Sequence, residues 1–341
     1  MLIFRHVSGL HRAIELWRKK GMKIAFVPTM GALHEGHMGL LERASHYPNT
    51  RVVCSIFVNP TQFNDPADLR TYPRDSVRDL RLLVEQGRTD ALFQPELEEV
   101  YPPEQPAATF SFGALEQVME GAMRPGHFAG VGQVVARLLQ LVEADYLLLG
   151  EKDYQQFMVV RDLLRQLRER KEPPSLENRP NTGGPSMEVP KERATRMGGL
   201  DQKGKNKVDP NNGGSNAGAV TRSAHRIPSL IMGPTHRDKG GLALSSRNQR
   251  LSPKGRLKAR RIYAALRQAR VGWCRETPAQ LVQKIRSGLA EEPDFRVEYI
   301  QLADSDTLAE VVDWKNHTSV RIFAAVWIEG VRLIDNTVVF P

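Results

Sequence analysis

The sequence predicts an α/β protein: a Rossmann-like, doubly wound parallel sheet followed by a smaller C-terminal α+β domain. Three observations carry this. Short apolar strands alternate with helical patterns through the first half of the chain. The composition then breaks into a stretch rich in Gly, Pro and Asn at residues 171–226. Beyond it, two helical patterns precede three apolar strand-like segments.

In chain order, residues 1–20 read as a short strand and an amphipathic helix, with Leu10, Ala13, Ile14, Leu16 and Trp17 as its apolar set. Residues 23–28 are the first core strand, followed by a glycine-containing loop and a helix over 36–47. Residues 51–58 form the next strand. Cys54 lies in its apolar run, where a buried thiol is expected. Residues 75–86 are helical, with Val77, Leu80, Leu83 and Val84 at helical spacing. Strands at 90–93 and 145–149 and helices at 131–142 and 153–167 continue the alternation. Such alternation makes consecutive strands parallel, joined by crossover helices.

Residues 171–226 contain no Phe, Tyr or Trp, and hold ten Lys and Arg against six Asp and Glu. A segment of this kind cannot bury enough apolar surface to offset its ordering entropy, so a disordered insertion is expected. A strand at 229–232 follows, then helices at 253–270 and 278–289, and strand-like segments at 296–302, 319–328 and 331–334. The predicted organisation is therefore 1–170 for the Rossmann-like domain, 171–226 for the insertion, 227–250 for the end of the nucleotide-binding domain and 251–341 for the C-terminal domain.

The chain carries 48 Lys and Arg against 39 Asp and Glu, a formal charge of +9. Outside the insertion this charge shows no aromatic–basic interleaving, so neither nucleic acid nor membrane is an expected partner. No run reaches the ~18 apolar residues of a membrane span. Cys54 and Cys274 have neither disulfide nor metal-ligand spacing, which fits a reducing, cytoplasmic setting.

Five segments could carry chemistry. In Pro28-Thr29-Met30-Gly31-Ala32-Leu33-His34-Glu35-Gly36-His37, a strand ends and a helix opens. Two histidines three apart share one face of the first turn. The helix N-terminus offers N–H groups and its dipole, so the loop suits a polyphosphate. A zinc reading is disfavoured, because zincin histidines stand four apart and no third ligand is evident. Gly150-Glu151-Lys152-Asp153-Tyr154-Gln155-Gln156 lies at another strand end, where Lys152 suits a phosphate. In Leu244-Ser245-Ser246-Arg247, two hydroxyls and a guanidinium share a short loop, while Ser252 before Pro253 reads as a helix N-cap. Asn59 and Gln62 after the second core strand are amides suited to a small polar substrate. In Arg124-Pro125-Gly126-His127-Phe128, Arg124 or His127 could neutralise a carboxylate.

Taken in this order, with Tyr72-Pro73-Arg74 between, these segments resemble the pantothenate synthetase (pantoate–β-alanine ligase) family over most of residues 1–168 and 229–341. The histidine signature alone is shared with class I aminoacyl-tRNA synthetases and cytidylyltransferases. The resemblance implies that the C-terminal domain acts as a lid. It implies ATP-dependent condensation of pantoate with β-alanine through pantoyl-adenylate, with Mg²⁺ and a homodimer. By the same resemblance, Met30, Gly31, Ala32, Leu33, His34, Glu35, Gly36 and His37 form the ATP loop, with His37 as proton donor. Gly150, Glu151, Lys152, Asp153, His236, Leu244, Ser245, Ser246 and Arg247 make the other ATP contacts. His34, His37, Lys152 and Arg247 form the catalytic set. Gln62 and Gln156, with Asn59, Arg124 and His127, meet pantoate and β-alanine, and Asp79 is a candidate for Mg²⁺.

The sequence departs from the family pattern at residues 236–242, where Gly240 replaces an acidic residue and His236 falls where a backbone contact to adenine is expected. The insertion of 56 residues between Gly150 and Gly241 is the larger departure. It is expected to loop out and leave the site intact.

Overall fold

The computed structural model describes residues 1–105, 108–170, 226–315 and 317–340. The expected disorder of 171–226 therefore falls outside the described residues, Arg226 excepted. The chain begins with β1 (Leu2–Phe4), α1 (Val7–Lys19), β2 (Lys23–Thr29), α2 (Glu35–Ser45) and β3 (Thr50–Ile56). Then come α3 (Pro66–Thr71), α4 (Ser76–Gln86), β4 (Ala91–Phe93), α5 (Leu97–Val100), α6 (Met119–Met123) and α7 (His127–Val142). β5 (Tyr146–Gly150), α8 (Tyr154–Glu169) and β6 (Ser229–Gly233) follow. The C-terminal part holds α9 (Pro253–Arg267), α10 (Ala269–Gly272), α11 (Pro278–Ala290), β7 (Phe295–Asp304), β8 (Val320–Ile328) and β9 (Val331–Phe340).

The first six strands form one parallel sheet in the order β1-β4-β3-β2-β5-β6. From β2 the chain winds outward through β3 and β4, then returns to the other side of β2 for β5 and β6. Strand order reverses between β2 and β5, and in open α/β sheets a ligand crevice forms there at the strand C-termini. β1, preceding the doubly wound unit, adds an edge strand beyond β4.

Period-two alternation gives the sheet two apolar faces. On one side Ile24 and Phe26 of β2 and Val53 of β3 pack with Leu10 and Ile14 of α1, Val135 of α7 and Leu163 of α8. On the other, Ala25, Val27, Val52 and Cys54 pack with Leu41 of α2 and Leu83 of α4. Burying each Leu, Ile or Phe here contributes about 1.5–3 kcal/mol. Cys54 is fully buried, as expected, and burial pushes its thiol up to about 12.

Two helix faces differ from the sequence expectation. In α1, Leu10, Ala13 and Ile14 are buried, but Leu16 lies off their line and is 58% exposed. In α4, Val77 and Val84 are exposed, and the inward line runs through Asp79 and Leu83. An aspartate occupies what apolar spacing alone would treat as a solvent position.

The second sheet is antiparallel, β7-β8-β9. One face packs Ile300, Ile322, Ala324 and Val326 against Ile262 and Leu266 of α9 and Leu281 and Ile285 of α11. The other packs Tyr299, Ala303, Phe323 and Ala325 against Met119, Tyr154 and Met158. Cover on both faces explains why β8 is buried almost throughout instead of alternating. Ser252 caps α9 as expected, accepting from Gly255 N. No described helix is long and apolar enough to cross a membrane.

Candidate active site

A cavity of about 570 Å³ opens at the C-terminal ends of β2 and β5. It brings together Met30, His34, Gly36 and His37 after β2, Gly150, Lys152 and Asp153 after β5, and Leu244, Ser245, Ser246 and Arg247 before α9. Asn59, Gln62, Arg124, His127 and Gln156 also border it.

The loop after β2 is held from behind. Gly31 (φ +80°) and Ala32 (φ +49°) both adopt left-handed backbone, costly for alanine unless the surroundings enforce it. Asp79 enforces it: its two oxygens accept from Ala32 N (2.8 Å) and Leu33 N (2.7 Å), and it is 1% exposed. Asp79, the expected Mg²⁺ candidate, thus serves the loop's backbone. Its carboxylate is buried against backbone donors and lies outside the walls of the main cavity.

Two more of the loop's amides are taken up by the histidine rings. His34 Nδ1 accepts from Gly36 N (3.2 Å), and His37 Nδ1 accepts from His34 N (3.3 Å). The two histidines thus form a reciprocal capping box at the start of α2. Ala32 and Leu33 are fully buried and Glu35 turns to solvent, so none of the three lines the cavity. Gly31 borders a second hollow on the far side of the loop.

These bonds fix the imidazole tautomers. With Nδ1 accepting, a neutral ring carries its proton on Nε2. Burial, then His37 and Lys152 nearby, lower His34 to about 2. Burial lowers His37 to about 4, against the pull of Asp153. Both rings, centroids 4.0 Å apart, are neutral Nε2–H donors at pH 7.

After β5, Lys152 reaches the cavity with Asp153 as its ion-pair partner (3.2 Å). Glu151 does not line the cavity. Its carboxylate accepts from Arg321 of β8 (2.8 Å) and Thr235 N (3.3 Å). Asn336 of β9 donates to the carbonyls of Glu151 and Lys152. Glu151 therefore anchors the turn to the second sheet, and its side chain is unavailable to a nucleotide.

In the 236–247 segment, Asp238 accepts from Gly240 N and Leu242 N and pairs with Arg260. The Arg260 side chain lies where a Cβ on Gly240 would be, so glycine in place of an acidic residue makes room for it. His236 stands over Gly39 of α2, where an added Cβ would come within 2.1 Å of Nε2. Its side chain is part of the cavity wall. Ser246 Oγ donates to Ala32 O (3.1 Å), tying this loop to the one after β2. Arg247 pairs with Asp68 of α3 (2.6 Å).

Two of the expected substrate residues, Asn59 and His127, line the cavity but have polar atoms engaged within the protein. Asn59 is 1% exposed and its amide is consumed internally: Nδ2 donates to Thr61, Gln62 and Gly130, and Oδ1 accepts from Tyr101. It orients Gln62. His127 donates from Nδ1 to Gln62 O (2.7 Å), and Arg124 donates to its Nε2 (3.2 Å). Burial, then Arg124, lower His127 to about 4, which favours the neutral ring. Arg124 can balance a carboxylate, since no described residue forms a salt bridge with it. Gln156 faces the cavity and, among the described residues, has no hydrogen-bond partner for its side chain.

The sequence reading missed one wall. Glu120 of α6 accepts from Tyr299 (2.7 Å) and from Arg332 (2.7 and 2.8 Å), and Arg332 also binds Glu298. The network links α6 to β7 and β9 beside the cavity. Its available signal was charge set inside apolar strands, since buried charges are almost always paired.

A parallel sheet with a cavity at its switch point, cationic on one wall and amide-lined on another, defines a nucleotide-dependent, acid-activating α/β enzyme. The family model for pantoate–β-alanine ligase matches residues 2–172 and 220–338. A pantothenate synthetase of Azobacteroides pseudotrichonymphae is 38% identical over 336 residues, covering 98% of this chain and 99% of the relative. That of Bacteroides thetaiotaomicron is 34% identical, covering 98% of each. The crystal structure of pantothenate synthetase from Thermus thermophilus superposes with a TM-score of 0.76 at 34% identity, over 100% of both chains. The ligase from Francisella tularensis, complexed with β-γ ATP and β-alanine, gives 0.67 at 31%, over 99% of this chain and 98% of that one. The chain belongs to the pantoate–β-alanine ligase family. It condenses pantoate with β-alanine in an ATP-dependent reaction through pantoyl-adenylate.

Proposed function

We propose that the cavity at the β2–β5 switch point performs both half-reactions, and that its side chains divide the work as follows. The pantoate carboxylate attacks the α-phosphorus of ATP, forming the acyl-adenylate and releasing pyrophosphate. Negative charge gathers on the departing pyrophosphate. His34 and His37 donate to it from neutral Nε2–H groups, while Lys152 and Arg247 offset its charge. Ser245 and the Ser246–Ala32 tie keep the loops in register. Gln62 and Gln156 bind the hydroxyl and carboxylate of pantoate, and Arg124 supplies the balancing cation. The amine of β-alanine then attacks the acyl carbon, loses a proton and displaces AMP.

The single observation carrying this reading is that three sequence-distant loops meet in one cavity, bringing His34, His37, Lys152 and Arg247 to its lining.

Mg²⁺ fits as a partner of the nucleotide, held mainly by its phosphates. Among the described residues no three His, Cys, Asp or Glu side chains cluster as a ready-made cage. When bound it supplies further positive charge to the phosphates. A lid is part of the proposal, with the part of the chain beyond about residue 250, carrying β7–β9, closing on the adenylate and excluding water. A homodimer is part of the proposal. The free edge of β1, with Leu2 and Ile3 each 50% exposed, is apolar surface that a second copy could cover. The cytoplasm is the proposed location, in keeping with an exposed free cysteine at Cys274.

The test separates the substrates. Gln156→Ala is expected to raise KM for pantoate while leaving KM for ATP near wild type. Equal changes in both would remove Gln156 from the pantoate subsite.

A further inference from the structure

We propose that Asp68 is an internal stand-in for phosphate at Arg247, and that the nucleotide displaces it on binding. This rests on the reading of Arg247 as a phosphate ligand.

The arrangement around Asp68 is lopsided. Its carboxylate meets Arg247 at 2.6 Å and Arg250 at 3.8 Å. Arg124 borders the same part of the cavity, and its field is felt there together with those of Asp68 and Arg247. Two guanidinium groups thus meet one carboxylate, with a third, Arg124, lining the same cavity. The other nearby acid, Glu120, is already occupied by Arg332 and Tyr299. Guanidinium recognises carboxylate and phosphate with the same planar fork. A triphosphate brings several oxygens and more charge than one carboxylate, so it wins the exchange.

Little else holds Asp68. It sits on α3, a six-residue helix with no buried residue. Asp68 and Arg247 side chains are each 23% exposed and both line the cavity, so their pair is open to exchange with a ligand there. Asp65, Ala67, Asp68 and Thr71 line the cavity from this segment. Breaking the pair therefore frees part of the wall as the nucleotide enters. In the unliganded protein Asp68 keeps Arg247 extended toward the site and lowers the apparent affinity for ATP by competing for it.

The experiment is a double-mutant cycle read by calorimetric titration of ATP into the full-length protein, with thermal melts confirming folding. Asp68→Asn is expected to tighten ATP binding about two- to fivefold, the range of a partly exposed ion pair. In an Arg247→Gln background the same substitution is expected to change little. Weaker or unchanged binding in Asp68→Asn would overturn the proposal, as would tightening that persists in full without Arg247, since that would be a general field effect. Arg247→Gln alone separates the underlying reading: if it binds ATP like wild type, Arg247 is no phosphate ligand at all.

Discussion

His34 and His37 share the capping of α2: each Nδ1 accepts a backbone N–H, from Gly36 and His34 respectively, which leaves the proton of each neutral ring on Nε2. The same bonds that start α2 thus set the tautomers of the proposed phosphate ligands. Helix capping and the proposed phosphate contacts use different nitrogens of the same two rings.

One consequence is a pH dependence of stability. His34, His37 and His127 have folded values of about 2, about 4 and about 4, below the ordinary 6.5. Between about pH 6.5 and 4 the unfolded chain binds more protons than the folded one, so stability rises with pH. It is complete above about 6.5 and falls as acid is added, by on the order of 1 kcal/mol per pH unit for each of His37 and His127. Urea denaturation at pH 7 and pH 5 measures this. His127→Gln is expected to flatten the slope.

Removing one donor edge tests its part in the chemistry. His37→Ala is expected to lower kcat for AMP release about 10²–10³-fold, the loss seen when one donor to a developing oxyanion is removed. Its melting temperature should change far less than its rate. A wild-type rate in this variant would take His37 out of the mechanism.

Asp79 distinguishes loop support from metal binding. Asp79→Ala leaves the amides of Ala32 and Leu33 buried without acceptors, which costs about 1–3 kcal/mol each. As the loop relaxes from its left-handed backbone, kcat is expected to fall by on the order of 10²-fold. The Mg²⁺ concentration for half-maximal activity is expected to stay where it is. A large rightward shift of that midpoint would restore the metal-ligand reading.

The Glu120–Arg332–Glu298 network carries a stability prediction. Arg332→Leu leaves two carboxylates uncompensated beside the cavity, a change that costs about 3–5 kcal/mol when one partner of a buried pair is removed. Chemical denaturation gives the value directly. A loss below about 1 kcal/mol would mean the network behaves like an exposed pair.

The family model leaves residues 173–219 unmatched, and β6 beyond them pairs with β5 in unbroken register from Ser229 to Gly233. Replacing that stretch by a short Gly/Ser linker is expected to preserve kcat within a few-fold of wild type. A folded but inactive product would show that the insertion serves the site.

Much of this architecture was legible because it obeys local rules. The strands at β2, β3 and β5 announce themselves by apolar runs, α9 by Ser252-Pro253, and the switch-point loops by glycine beside histidine or lysine. What escaped depends on contacts between distant segments. Nothing near Asp79 says that its carboxylate turns inward to hold Ala32 and Leu33, so Val77 and Val84 took its place in the apolar line. Glu151 looked like a phosphate-loop acid until Arg321, 170 residues away, claimed it. Asn59 and His127 were rightly gathered near the cavity, but their polar atoms are used to orient Gln62 and Arg124. Residue type and strand position pointed to the neighbourhood, while hydrogen-bond saturation decided which groups stay free.

The central claim is that this one cavity activates pantoate by itself before any amine arrives. Isotope exchange of labelled pyrophosphate into ATP, measured without β-alanine, tests it most directly. Exchange that depends on added pantoate and disappears without it is the predicted result. No exchange until β-alanine is supplied would contradict a separate adenylation step at this site.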